Sequence, residues 1–254
     1  MPKPLLTRRG LLSAVALGGS ATLLSGCDRL SQSPTFQEIL DAGEWLNQRV
    51  QRLIGGSALA REYTEAAMSP DFRTNGNTRP RSADWNRLAA QNFADWRLMV
   101  DGLVEAPQSF SLAELRNMPL RTQITRHDCV EGWSAIGKWT GVPLAAVLDR
   151  VRLSPNARFV VLHCADDFSG TPYYESIDLV DAFHPQTILA YGMNGDVLPI
   201  GHGAPLRLRV ERQLGYKHAK FIMRVEAVET LAGIGGGRGG FWEDAGNYYW
   251  YAGV

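Results

Sequence analysis

Read as a sequence of apolar and polar positions, the chain begins helical and then becomes rich in strands. In SPTFQEILDAGEWLNQRVQRLI, Phe36, Ile39, Leu40, Leu46, Val50, Leu53 and Ile54 recur at helical intervals, and Thr35 and Glu38 have capping-box spacing. The pattern predicts an amphipathic helix that Gly55 and Gly56 interrupt. SALAREYTEAAM can continue as a second helix, whereas SPDFRTNGNTRPRS is crowded with turn formers and reads as a loop.

From about Phe93 the period changes. DWRLMVDGLV alternates like a strand, SLAELRNM is a short helix opened by Ser111 and Glu114, and GVPLAAVLDRV is a helix that tolerates Pro143 near its first turn. RFVVLHC, from Arg158 to Cys164, is a short β-branched run expected to be a buried strand. Asn194-Gly195 between two apolar stretches marks a hairpin. APLRLRV places Arg207 and Arg209 on one strand face, which could simply be solvated, and KFIMRVEAVET follows as a further strand. The fold class implied is α+β, sheet-rich, with a helical N-terminal appendage. The end, GIGGGRGGFWEDAGNYYWYAGV, joins a flexible glycine run to an aromatic tail that should pack back on the domain or serve as a docking face.

Composition narrows the function classes. The 254 residues are 45% hydrophobic and 20% charged, ordinary for a globular domain. Lys+Arg and Asp+Glu both number 26, so no basic field invites nucleic acid. The first 27 residues read as an export signal: Arg8 and Arg9 precede an apolar stretch that ends in Leu24-Ser25-Gly26-Cys27. The uncharged run is shorter than the roughly 20 apolar residues of a spanning helix, making a transmembrane anchor the weaker reading. Cleavage before Cys27 would take Lys3, Arg8 and Arg9 and no acidic residue, leaving a mildly acidic mature chain.

The stretch ITRHDCVEGWSAIGKW sets Cys129 behind His127 and Asp128 and ahead of Glu131 and Trp133. Several chemistries compete for it. A zinc site could draw on His127, Cys129, His163 and Cys164, but no Cys-x-x-Cys spacing supports it. A cysteine nucleophile would need a histidine base. With Cys27 lipidated, Cys129 and Cys164 could form one disulfide. The remaining reading is a thiolate on a redox metal whose other ligands come from an organic cofactor. His163, on an apolar strand, is more simply a satisfied core residue, and Trp133, Trp139, Tyr173 and Tyr174 could be core alone.

HDCVEGWSAIGKWTGVPL and YYESIDLVDAFHPQTILAYGMNGDVLPIGHGAPLRLRVERQLGYKHAKFI, in this order and spacing, resemble the molybdopterin-binding domain of the sulfite oxidase family. The resemblance is to its bacterial branch, which contains periplasmic methionine sulfoxide reductase catalytic subunits, and it covers residues 71 to 232. It implies a molybdenum-molybdopterin cofactor. Cys129 matches the cysteine that ligates molybdenum, and Glu131 an acid near the metal that can move a proton. Arg207 matches an arginine holding the cofactor's phosphate. His218, Ala219 and Lys220 match the segment that wraps the same end, His202 stands where some members have asparagine, and Asn75 matches an asparagine near the pterin. Cys164 falls where this branch places a threonine near the cofactor. Sulfite oxidases put an arginine shortly after the metal cysteine, whereas Val130 to Ser134 contain none. Glu131 and Trp133 should disfavour a dianion and suit a neutral substrate.

The expected organisation is an export signal with lipobox cysteine (1–27), a helical segment (28–70), the oxidoreductase domain (71–232) and a glycine-rich aromatic tail (233–254). The twin-arginine-like pair and Cys27 imply a lipoprotein in the periplasm, anchored to the cytoplasmic membrane. The function expected is transfer of an oxygen atom to or from a small substrate such as a sulfoxide. No Cys-x-x-Cys-His haem site occurs, and too few cysteines remain for an iron–sulfur cluster. Electrons would therefore pass through a separate membrane haem protein or cytochrome. Sulfite dehydrogenation, or a non-catalytic module binding pterin or a partner, are the alternatives.

Overall fold

The computed structural model describes residues 33–254, so the readings of Arg8, Arg9 and Cys27 lie outside the described residues. The chain divides into two units after Gly56. The first contains helix α1 (Pro34–Gly55). Its cap differs from the expected Thr35/Glu38 box: Ser33 is the N-cap, in extended backbone without a side-chain cap, and Pro34 follows in the first turn. Proline's fixed φ and missing N–H suit that position, which starts the helix earlier than the box would. The helix stops where expected, with Gly56 N–H on Arg52 O at 3.0 Å. No helix among the described residues is long and apolar enough to cross a membrane.

The larger unit, Ser57–Val254, contains residues 57–70 and 233–254 as well as the stretch between them. SALAREYTEAAM is not a second helix. Glu62 bridges to Thr125, Tyr63 N–H donates to Ile124 O, and Gln186 binds both the N–H and the carbonyl of Ala60. Pairing with a sheet edge overrides the helical propensity of these alanines, and only a 3-10 turn at Glu65–Ala67 remains.

In chain order there follow α2 (Ala83–Ala90), β1 (Arg97–Gly102), β2 (Gln108–Ser111), α3 (Leu112–Arg116), β3 (Arg121–Asp128), β4 (Ser134–Pro143), α4 (Leu144–Val151), β5 (Phe159–Phe168), β6 (Thr171–Asp178), α5 (Leu179–Ala182), β7 (Ile188–Met193), β8 (Asp196–Val197), β9 (Arg207–Arg209), β10 (Ile222–Val228) and α6 (Phe241–Gly246). They form a mixed α+β fold. One five-stranded sheet runs β2-β1-β10-β5-β6, and the other runs β3-β4-β7-β8 with β9 also paired to β7. Among the described strands only β1 and β10 pair in parallel. The core draws on both sheets: Leu98, Val100, Leu162 and Val225 from the first, Val142, Leu189 and Leu208 from the second.

Local chemistry explains the elements. Ser111 and Glu114 complete a reciprocal capping box at α3. β7 is buried at every position, which its unbroken ILAYGM run anticipates. Gly141 lets β4 approach β7, since a Cβ there would lie 2.2 Å from Leu189 O. Asn194 and Gly195, both at positive φ, close the hairpin into β8. The aromatic tail packs back as expected. Trp250 Nε1 donates to Ser176 Oγ at 2.8 Å, and Gln213 bridges to Gly253.

Candidate cofactor site

Cys129 stands at the turn joining β3 to β4. Its N–H donates to Trp133 O (2.9 Å), Gly132 N–H returns to Cys129 O (3.0 Å), and Gly132 takes φ +85°, which glycine allows without strain. Asp128 fixes the base of the turn by accepting from Ser134 Oγ (2.5 Å) and Arg126 Nε (3.0 Å). Trp133 Nε1 donates to Glu131 Oε2 at 2.9 Å, so the tryptophan aims the carboxylate.

This turn forms one wall of a cavity of about 150 Å³. Of the residues singled out in the sequence, the cavity brings together Asn75, Cys129, Glu131, His218 and Lys220. Ala219 is wholly buried and acts through its backbone, with its carbonyl accepting Leu208 N–H at 2.8 Å. His202 and Arg207 lie outside the lining and are joined by Arg207 Nη1 to His202 O at 2.9 Å. Cys164 lines a different cavity with His163, Tyr174 and Phe241.

The two arginines of β9 are both fully buried, so they do not form a solvated face. Arg209 is clamped by Glu211 through Nε (2.9 Å) and Nη2 (2.5 Å), and its Nη1 meets His127 Nδ1 at 3.0 Å. Since guanidinium only donates, Nδ1 accepts, and the proton of neutral His127 sits on Nε2, which has no partner. Burial, with Arg209 and Arg207 close by, holds His127 well below the usual histidine range. His218 is held low likewise; its Nε2 donates to Gln213 O at 3.0 Å, leaving Nδ1 as a buried acceptor without a partner. Gly215 makes room for the pair, because a Cβ there would lie 2.6 Å from His127 Nε2.

Arg207 has no carboxylate partner. Its Nε and Nη2 are buried without any hydrogen-bond acceptor, and its guanidinium lies 4.8 Å from the Trp139 ring centre. Burial and the neighbouring Arg209 pull its pKa down to about 9. Lys220 donates to the carbonyls of Asn75 (2.6 Å), Asn77 (2.5 Å) and Gly201 (3.1 Å), a set that uses all three N–H bonds of an ammonium. Burial and Arg207 pull it down to about 7. An anion beside these cations would relieve both. Orphaned guanidinium donors fit a phosphate, and the Cys129 sulfur on the cavity wall fits a soft metal.

Other chemistries fit less well. Burial, reinforced by the Glu131 charge, pushes the Cys129 thiol up, whereas a nucleophilic cysteine needs it lowered. Among the described residues no group of three or more His, Cys, Asp and Glu is placed to hold a metal, and Cys129 and Cys164 are both free thiols. His163 pairs with Glu226 at 2.8 Å, the satisfied arrangement expected of it.

Sequence reasoning did not single out Asp166, Phe168, Tyr216, Trp242 or Tyr248, all of which line the cavity. Asp166 was detectable as an acid continuing the β5 run beyond Cys164; Asn77 Nδ2 holds its Oδ2 at 3.0 Å. Trp242 and Tyr248 belong to the aromatic tail, whose destination no local pattern fixes.

A family model described as oxidoreductase molybdopterin binding domain matches residues 86–232. The chain is similar to the "Putative protein-methionine-sulfoxide reductase subunit YedZ1" of Azospira oryzae, 37% identical over 250 residues, covering 97% of this chain and 87% of that one. It is also similar to the protein-methionine-sulfoxide reductase catalytic subunit MsrP of Ralstonia nicotianae, 31% identical over 236 residues, covering 87% and 69% respectively. A solved structure, the sulfane dehydrogenase SoxCD of Paracoccus pantotrophus, matches at 25% identity with TM-score 0.49, over 54% of this chain and 39% of that one. With its β3–β4 cysteine, its buried guanidinium lacking any carboxylate partner and this family match over most of the larger unit, the chain belongs to the oxidoreductase molybdopterin-binding domain family and is a molybdopterin-dependent oxidoreductase.

Proposed function

We propose that the protein is the catalytic subunit of an exported sulfoxide reductase that takes the oxygen atom from a neutral sulfoxide, with methionine sulfoxide as the substrate class. One observation carries the reading. The cavity that holds Cys129 and Glu131 is also lined by the aromatic side chains of Phe168, Tyr216, Trp242 and Tyr248, with no arginine or lysine in the Cys129 turn to attract a dianion. The names of the two relatives point the same way.

When bound, the molybdenum cofactor supplies two-electron oxygen-atom transfer, with Cys129 as the protein ligand to the metal. Arg207 would hold the pterin phosphate through the N–H groups of Nε and Nη2. Lys220, its own donors committed to carbonyls, would add positive field and fixes the backbone of Asn75 and Asn77, which could then hold the cofactor. His202 braces Arg207 through its carbonyl, His218 offers Nδ1 as an acceptor, and Ala219 shapes the segment through its backbone. Cys164 contributes packing behind the site. Glu131, steadied by Trp133, carries protons to the departing oxygen. The overall step breaks the sulfur–oxygen bond, consumes two protons and two electrons, and releases thioether and water.

The electrons come from a separate membrane haem protein or cytochrome. Arg8 and Arg9 direct twin-arginine export, and a lipid on Cys27 keeps the enzyme at the cytoplasmic membrane facing the periplasm. Residues 1–27 are then the signal, and residues 28–70 precede the catalytic domain (71–232) and its tail (233–254), with Ser57 onward built into the same unit as both. Dye-linked turnover of a blocked methionine sulfoxide, measured beside sulfite oxidation, tests the reading. Sulfoxide turnover that is lost in Cys129→Ser is expected. Turnover of sulfite alone would replace it with a sulfite dehydrogenase.

A further inference from the structure

Part of the lining of the cavity that holds Cys129 and Glu131 comes from beyond residue 232, where the family match ends. Trp242 and Tyr248 both line the cavity. Their rings are stacked, 5.8 Å between centroids at 25°, with Phe168 edge-on to Trp242 at 5.2 Å and Tyr216 edge-on to Tyr248 at 5.0 Å. Asn247, at φ +55°, turns the chain between them, and Tyr248 N–H donates to Trp242 O at 3.3 Å.

The segment is tied down on every side. Asp244 accepts from Tyr174 OH (2.5 Å), Gly236 N–H (2.7 Å) and Arg238 N–H (3.0 Å). Glu243 accepts from the buried Lys217 ammonium at 2.7 Å, and Tyr249 O accepts from Tyr216 OH at 2.7 Å. These bonds hold the two rings in place before any ligand arrives, so little side-chain entropy is lost on contact. Neither ring brings a charge to the cavity. Aromatic rings make favourable contacts with thioether-type sulfur at about 5 Å, each a modest contribution that two rings can double.

We propose that Trp242 and Tyr248 are specificity-determining residues: a preorganised aromatic wall that recognises the neutral sulfur and methyl group of a methionine-type side chain. The inference rests on the sulfoxide reading above. It assigns selectivity to the tail, while the chemistry stays with the matched domain.

The test is steady-state reduction of a blocked methionine sulfoxide by a reduced dye, comparing wild type with Trp242→Ala, Tyr248→Ala and Trp242→Phe, each checked for circular dichroism and molybdenum content. Each alanine variant should raise KM about threefold to tenfold with kcat within about twofold and metal content retained, the signature of lost uniform binding. Trp242→Phe should restore most of the KM. Unchanged KM in both alanine variants would overturn the wall, and so would kcat and metal falling together, which marks a packing role. A wild type that turns over no sulfoxide would instead remove the functional reading, and the inference with it.

Discussion

Two buried cations of the larger unit are treated in opposite ways. Lys217 is fully enclosed and meets Glu175 at 2.5 Å and Glu243 at 2.7 Å. Burial and the neighbouring Glu243 hold Glu175 well above the usual carboxylate range, so with one proton on the pair this cluster is neutral. Arg207 is equally enclosed and has no acid at all; Glu211 is spent on Arg209, two residues along the same strand. The fold thus neutralises its cation where the role is to hold the tail, and leaves one without an acid at Arg207, where the phosphate of the proposed cofactor would complete it.

Substitutions can break that contrast. The largest effect expected is from Lys217→Met, which leaves the Glu175/Glu243 pair with an uncompensated buried charge and should cost about 3–5 kcal/mol of unfolding free energy in urea titration. Arg207→Met should act with the opposite sign in cofactor-free protein, raising stability by about 1–3 kcal/mol because an unpaired buried charge is removed. The same variant should retain pterin about tenfold to a hundredfold less well, as lost charge-assisted hydrogen bonds imply. If Arg207→Met destabilises the free protein as Lys217→Met does, the contrast is wrong.

Smaller effects sharpen it. Glu243→Gln keeps the acceptor for Lys217 and should change stability by no more than about 1 kcal/mol. It should also flatten a pH dependence: with its folded pKa raised, Glu175 contributes stability that is present below about pH 4.5 and lost as pH rises through the folded value. Lys220 has the reverse sign. Held down to about 7 from 10.5, it contributes stability present above about pH 10.5 and lost as pH falls through about 7. Thermal unfolding across that window should show the slope in cofactor-free protein, weakened once an anion is bound.

The contrast also explains what was legible in the sequence. Features set by local chemistry were readable: the Ser111/Glu114 box, the Asn194-Gly195 hairpin and the buried β-branched run of β5. Features set by distant partners were not. Ala60 and Glu62 have helical neighbours in sequence, yet Gln186 and β3 decide their conformation. Arg207 and Arg209 alternate like a solvated face, but both lie inside, and nothing in LRLRV says which one Glu211 will clamp. Motif resemblance reached residues whose place no periodicity could give, such as Asn75 and Lys220. It did not reach Trp242 and Tyr248, whose position depends on Asp244 and Lys217 drawing the tail back over the cavity.

The central claim is that Cys129 and Arg207 complete themselves on a molybdenum cofactor, and its most direct test is the molybdenum and pterin content of purified protein made in a host that supplies the cofactor. The account predicts close to one of each per folded wild-type chain, a depleted pterin content in Arg207→Met, and loss of the metal or of its thiolate absorption in Cys129→Ser. Folded wild type without pterin, or Arg207→Met with a full complement, would contradict it.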